Sequence, residues 1–155
     1  MGMDVYGKKP SSEKGKYFRN NVWWWRPLWN YCCDISPSLA GKVKKGHFND
    51  GDGLDAKKSK MLAIILQEEI DSGRTAKFEK KYTAELKSIP DEACNICGGT
   101  GKRRTPPECG PGNEPCNGCK STGKQHPTIA LYPFSEENVK EFVGFLHDCG
   151  GFEIC

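Results

Sequence analysis

Residues 91–127 constrain the chain most. They are rich in cysteine, glycine, proline and basic side chains and hold almost nothing to bury. Ordering such a stretch costs more conformational entropy than its own hydrophobic contacts recover, so another term must fold it. It contains two Cys-x-x-Cys pairs, Cys94-Asn95-Ile96-Cys97 and Cys116-Asn117-Gly118-Cys119, with eighteen residues between them. That is the spacing of a tetrahedral zinc site. Two thiolates two residues apart converge on one side of a tight turn, and a glycine after the second, here Gly98, lets backbone N–H groups approach the sulfurs. Two such knuckles supply four soft ligands and leave no open position, which makes the site structural. The metal's binding free energy would then fold the loop. Free thiols or a redox pair are the alternative. The spacing favours one zinc per chain on Cys94, Cys97, Cys116 and Cys119, with Cys109 a spare that could displace a ligand.

The same residues resemble the cysteine-rich repeats of the DnaJ chaperone family, whose pattern is C-x-x-C-x-G-x-G. Cys94 through Gly101 fits it, and Cys116 through Gly123 fits apart from Ser121, where the family has glycine. Two repeats stand where those chaperones carry four, and the His-Pro-Asp signature of their J-domain is absent. The resemblance covers about a fifth of the chain. It implies the zinc-ligand role of the four cysteines and nothing about chaperone activity.

The other residues read as one α+β domain spanning 1–155, with 91–127 inserted as a zinc-binding module. "DVYG" and "KYFRN" are predicted strands around a turn at Pro10-Ser11-Ser12, and Asn20-Asn21 a tight turn before a third strand, "VWWW". Arg26-Pro27 is expected to start a helix ending before Ser36-Pro37. Met61, Leu62, Ile65, Leu66 and Ile70 recur at helical spacing and mark a main core helix running to about Ser72, with Asp52 as its N-cap. Phe78, Tyr82, Leu86 and Ile89 mark the next helix. "TIALYPF" reads as a strand. Ser135 caps a last helix that buries Val139, Phe142, Val143, Leu146 and Cys149, and "FEIC" follows as an edge strand. The expected architecture is a small sheet packed by about four helices.

Composition excludes several roles. The longest apolar run, Met61–Leu66, is far too short to span a bilayer. The N-terminus has no hydrophobic signal core, and nine cysteines without one point to a metal site in the reducing cytoplasm rather than a disulfide scaffold. A net charge of +3 is too small to argue for nucleic acid. Lys102, Arg103, Arg104, Lys120 and Lys124 could touch phosphates, but a solvated loop is the favoured reading.

Two segments outside the insert invite a ligand. "NNVWWWRPLW" places three tryptophans in a row and a fourth at Trp29, and no regular element buries three consecutive side chains on one face. Either two surfaces of the protein need them, or one of Trp23, Trp24 and Trp25 stacks on a planar ligand with Arg26 reaching its charged group. "HFNDGDGLD" fails as an EF-hand because Leu54 and Met61 occupy ligand positions. It opens the core helix, with or without a ligand or metal role for His47, Asp50 and Asp52.

The order "MGMDVYGK", "YFRNNVWWWRPLW", "NDGDGLD", the cysteine pairs and "CGGFEIC" is similar to small uncharacterised proteins of bacteria and their phages, over nearly the whole chain. That resemblance implies a prokaryotic accessory protein and brings no catalytic residue. The expectation is a non-enzymatic, zinc-stabilised, cytoplasmic binding protein with a protein partner, such as a component of host defence. A small-molecule or nucleotide binder using Trp23, Trp24, Trp25, Arg26, His47, Asp50 and Asp52 is the alternative. An enzyme acting on a nucleotide-like substrate at the same residues comes third. Neither nucleic acid nor a membrane is the expected partner.

Overall fold

Met3 and Val5 alternate with Asp4 and Tyr6, and this period-two pattern forms β1 (Gly2–Gly7). A hairpin returns it as β2 (Tyr17–Asn21), in register from Gly2 opposite Asn21 to Tyr6 opposite Tyr17. The computed structural model describes residues 2–155 and divides into two units, Met1–Thr83 with Tyr132–Cys155, and Ala84–Leu131. The larger unit is α+β. β3 (Asp52–Asp55) and β8 (Gly151–Ile154) complete an antiparallel sheet ordered β2-β1-β8-β3. Around it stand α1 (Val22–Ile35), α2 (Ala56–Asp71), α3 (Arg74–Ser88) and α4 (Glu136–Asp148).

The tryptophan run is helical, which corrects the expected "VWWW" strand. The Asn21 side chain accepts the Trp24 N–H at 3.1 Å from an extended backbone, so the asparagine pair ends a strand and caps α1. The helix starts five residues before Pro27, which lies inside it. A helix fans three consecutive indoles apart. Trp25 and Trp29, one turn apart, are fully buried with rings stacked 5.3 Å apart, and Phe142 and Phe152 close on their edges. Trp23 and Trp24 are half-buried at the side.

Asp55, not Asp52, caps α2. Its carboxylate accepts the Lys58 N–H at 2.8 Å, while Asp52 begins β3. α2 buries Ser59, Leu62, Ala63 and Leu66; Ile65 and Ile70 are half-buried and Met61 is exposed. Ser135 caps α4 through the Asn138 N–H, and the expected stripe of Val139, Phe142, Val143, Leu146 and Cys149 is buried. "TIALYPF" contains no strand: Thr128–Leu131 is a 3-10 turn. β8 is an interior strand rather than an edge, pairing with β1 on one side and β3 on the other. No helix among the described residues is long and apolar enough to cross a membrane.

Candidate metal centre

The smaller unit holds two copies of one nine-residue turn. "CNICGGTGK" (94–102) and "CNGCKSTGK" (116–124) share Cys-Asn-x-Cys-x-x-Thr-Gly-Lys at an offset of 22. β4 (Glu92–Ala93) precedes the first copy and pairs with β7 (Lys124–Gln125) at the end of the second. β5 (Lys102–Arg103), at the end of the first, pairs with β6 (Glu114–Pro115), which precedes the second. The Cys94 N–H donates to the Gly123 carbonyl at 2.9 Å, and the Cys116 N–H to the Gly101 carbonyl at 3.0 Å. The two turns are therefore locked head to tail with approximate two-fold symmetry.

Within each turn the same atoms repeat the same bonds. The Gly101 N–H points at Cys97 Sγ and the Gly123 N–H at Cys119 Sγ, both at 3.3 Å. The Thr100 hydroxyl donates to the Cys97 carbonyl at 2.9 Å, and Thr122 to that of Cys119 at 2.7 Å. Gly101 and Gly123 both have φ of +76°, and a Cβ there would fall 2.4 Å from the Ser121 carbonyl oxygen and 2.2 Å from that of Gly99. Only glycine fits. Ser121, the departure from the family pattern, takes the same left-handed region at φ +63°, at a cost of about 1 kcal/mol.

The outcome is four converging sulfurs. Cys94, Cys97, Cys116 and Cys119 are buried, and their sulfurs lie within 4.8 Å of one another. Across the two turns, Cys94 and Cys116 stand 3.9 Å apart and Cys97 and Cys119 3.8 Å. Four sulfurs about 2.3 Å from a shared ion, at the corners of a tetrahedron, would be about 3.8 Å apart. The cluster can hold a metal ion. Exposed Cys109 is not part of it.

The electrostatics fit a cation. Burial opposes charge on Cys97, but the Gly101 and Gly99 N–H groups and the neighbouring thiols outweigh it and draw its pKa down to about 6. Cys119 is also lowered: burial again opposes, and the Gly123 N–H and Cys116 win. Cys116 goes up. The Cys119 N–H favours its thiolate, but burial and the Cys119 and Cys97 thiols together prevail. Sulfurs this crowded do not all ionise alone, and a divalent ion at their centre removes that conflict.

Arg103 is a residue sequence reasoning missed, because Lys102-Arg103-Arg104 reads as a solvated run. It is 8% exposed. Its guanidinium donates to Asn117 Oδ1 at 2.8 Å, the Glu108 carbonyl at 3.1 Å and the Arg104 carbonyl at 3.2 Å, tying the loop between the knuckles to the second knuckle. Thr100 and Thr122 were also missed, although aligning the two copies at their offset would have found them.

The other candidate residues do not all meet: Asp50 and Asp52 share Lys45 and Arg26 acts on His47, while Trp23, Trp24 and Trp25 face different surroundings. Trp25 lies in the core, its indole N–H donating to the Gly46 carbonyl at 2.8 Å. Trp23 packs on Tyr132 at 4.8 Å, and Arg26 sits over the same ring at 5.9 Å. Trp24 lines a shallow cleft with Asn20, Ser135, Glu137, Asn138 and Glu141. His47 Nε2 pairs with Asn30 Oδ1 at 2.9 Å while its Nδ1 is buried without a hydrogen-bond partner among the described residues. Burial, then the charge of Arg26, lowers its pKa. Asp50 forms an ion pair with Lys45 at 2.7 Å. Asp52 accepts the Lys45 and Gly53 N–H groups, and the first of these contributes most to its lowered pKa.

Comparison with protein families, with curated proteins and with solved structures returns no match. Of the resemblances carried by the sequence, the four-cysteine motif has a structural counterpart; a chaperone-like family and a phage origin gain no support.

Proposed function

We propose that the smaller unit is a structural zinc module and that the protein is a non-catalytic binding protein. The observation that carries this is the cluster of four sulfurs within 4.8 Å of one another, in which the Cys94–Cys116 and Cys97–Cys119 separations match zinc–thiolate geometry. Arg103 supports it. No carboxylate among the described residues lies within ion-pair distance of its guanidinium, and a buried cation needs compensating charge. A divalent ion on four thiolates carries net negative charge and would supply it a few residues away. Four protein sulfurs fill a tetrahedral ion, leaving no position for a substrate.

A catalytic role for His47 with Asp50 or Asp52 is disfavoured, because His47 is engaged with Asn30 while Asp50 and Asp52 are both engaged with Lys45. The tryptophan segment is a poorer partner surface than its sequence suggested, since Trp25 and Trp29 are in the core.

Metal analysis of purified protein tests the zinc reading. One zinc per chain is expected in the wild type, and a large loss in both Cys94→Ser and Cys116→Ser, with Cys109→Ser unchanged. Full zinc in both knuckle variants would refute the assignment.

A further inference from the structure

The sheet of the larger unit offers a second surface, on its outer face. Met3, Val5, Phe18, Leu54, Phe152 and Ile154 are buried on one side of it. Strand alternation puts Asp4, Tyr6, Tyr17, Arg19 and Glu153 on the other side. There Tyr6 stands opposite Tyr17 on β2 and Glu153 on β8. The two tyrosine rings are 5.0 Å apart, tilted by 36°, and are 43% and 42% exposed. The Tyr17 hydroxyl donates to Asp4, which fixes that ring. The two rings pack against each other as a half-exposed aromatic pair on neighbouring strands, and their open ring surface can take a stacked nucleobase.

Cations gather beside it. Tyr6 and Tyr17 are the last strand pair before the hairpin, which carries Lys8, Lys9, Lys14 and Lys16. Glu13, the hairpin's acidic residue, pairs with Lys16, and nearby Asp148 accepts the Ser12 hydroxyl. Among the described residues Lys8, Lys9 and Lys14 have no ion-pair partner. At the β2 edge Lys14 and Tyr17 line a cleft of about 260 Å³ with Phe18 and, from α4, Lys140, Glu141, Gly144 and Phe145, which brings a cation beside Tyr17 and one carboxylate into the same cleft. Asp4 and Glu153 would repel phosphates over the middle of the sheet, which directs an anionic backbone to the hairpin end.

We propose that this face binds a single-stranded nucleic acid, with bases on Tyr6 and Tyr17 and phosphates at Lys8, Lys9 and Lys14. An acidic peptide would use the lysines and leave the rings idle; a single strand uses both. The proposal names a partner for the binding role argued above and rests on that role. It does not rest on the metal, since all of these residues lie in the larger unit.

The test is fluorescence anisotropy with labelled single-stranded DNA and RNA of about 12 nucleotides, on full-length protein whose zinc content is measured in the same sample. Binding is expected, weakening roughly 20-fold between about 50 and 200 mM salt if three phosphates are neutralised. Tyr6→Ala and Tyr17→Ala should each weaken it at least about 5-fold, while Tyr6→Phe keeps it, because stacking needs the ring and not the hydroxyl. Lys8→Gln with Lys14→Gln should flatten the salt dependence. No binding at about 100 µM protein, equal binding of polyglutamate, or indifference to both alanine variants would each overturn the proposal. Zinc-replete protein that fails to bind would sink this proposal and leave the metal assignment standing; zinc-free protein that binds would do the reverse.

Discussion

Stripping the metal from the protein is expected to unfold residues 89–131, beyond the end of α3, and leave the sheet and helices of the larger unit folded. The buried apolar cluster of the smaller unit is the four cysteines themselves, with Ile96 packed against them. Its strands are two residues long. Without an ion, nothing there offsets the entropy of ordering the loop, whereas a structural zinc contributes about 10–16 kcal/mol at neutral pH. Amide hydrogen exchange before and after a strong chelator reads the outcome. The N–H groups of Cys94 and Cys116, bonded across the knuckles, and of Gly101 and Gly123, bonded to the sulfur of their own turn, should exchange as in an unfolded chain. Those of Val5, Leu62 and Phe142 should stay protected. Knuckle amides that remain slow without metal would show that the turns fold unaided.

Trp25→Ala is expected to bring the larger unit close to unfolding. Truncating a fully buried aromatic costs about 3–5 kcal/mol. The Gly46 carbonyl would also lose its donor, adding roughly 1–3 kcal/mol where no water reaches it. The total is comparable with the whole stability of a typical domain, about 5–15 kcal/mol. Trp24→Ala, one residue away and half-buried, should cost no more than about 1–2 kcal/mol. Urea unfolding followed by circular dichroism separates the two. Equal effects would contradict the placement of Trp25 at the centre of the core.

The contrast between these two neighbours shows what the sequence could and could not convey. The cysteine pairs were legible because ligand spacing is local: each Cys-x-x-Cys turn needs only its own backbone to aim two sulfurs, while the pairing of β4 with β7 and of β5 with β6 brings the two turns together. The stripes of α2 and α4 were largely legible for the same reason. The element holding the tryptophans was not. Asn20-Asn21 reads as a turn, and only the Asn21 side chain on the Trp24 N–H makes it a cap. Asp52 and Asp55 are both acceptors near one helix start, and the pairing of Asp52 through Asp55 with β8 decides between them. β8 reads as an edge from its local sequence, but its place between β1 and β3 depends on partners about 150 and 100 residues earlier. The Tyr6–Tyr17 pair depends on hairpin register in the same way, since a one-residue slip would point one ring into the core.

Zinc K-edge X-ray absorption on protein purified without chelator tests the central claim most directly. The expected spectrum is that of one zinc bound by four sulfurs at about 2.3 Å. A shell containing nitrogen or oxygen, or a metal other than zinc filling the site, would contradict a closed zinc centre made by Cys94, Cys97, Cys116 and Cys119.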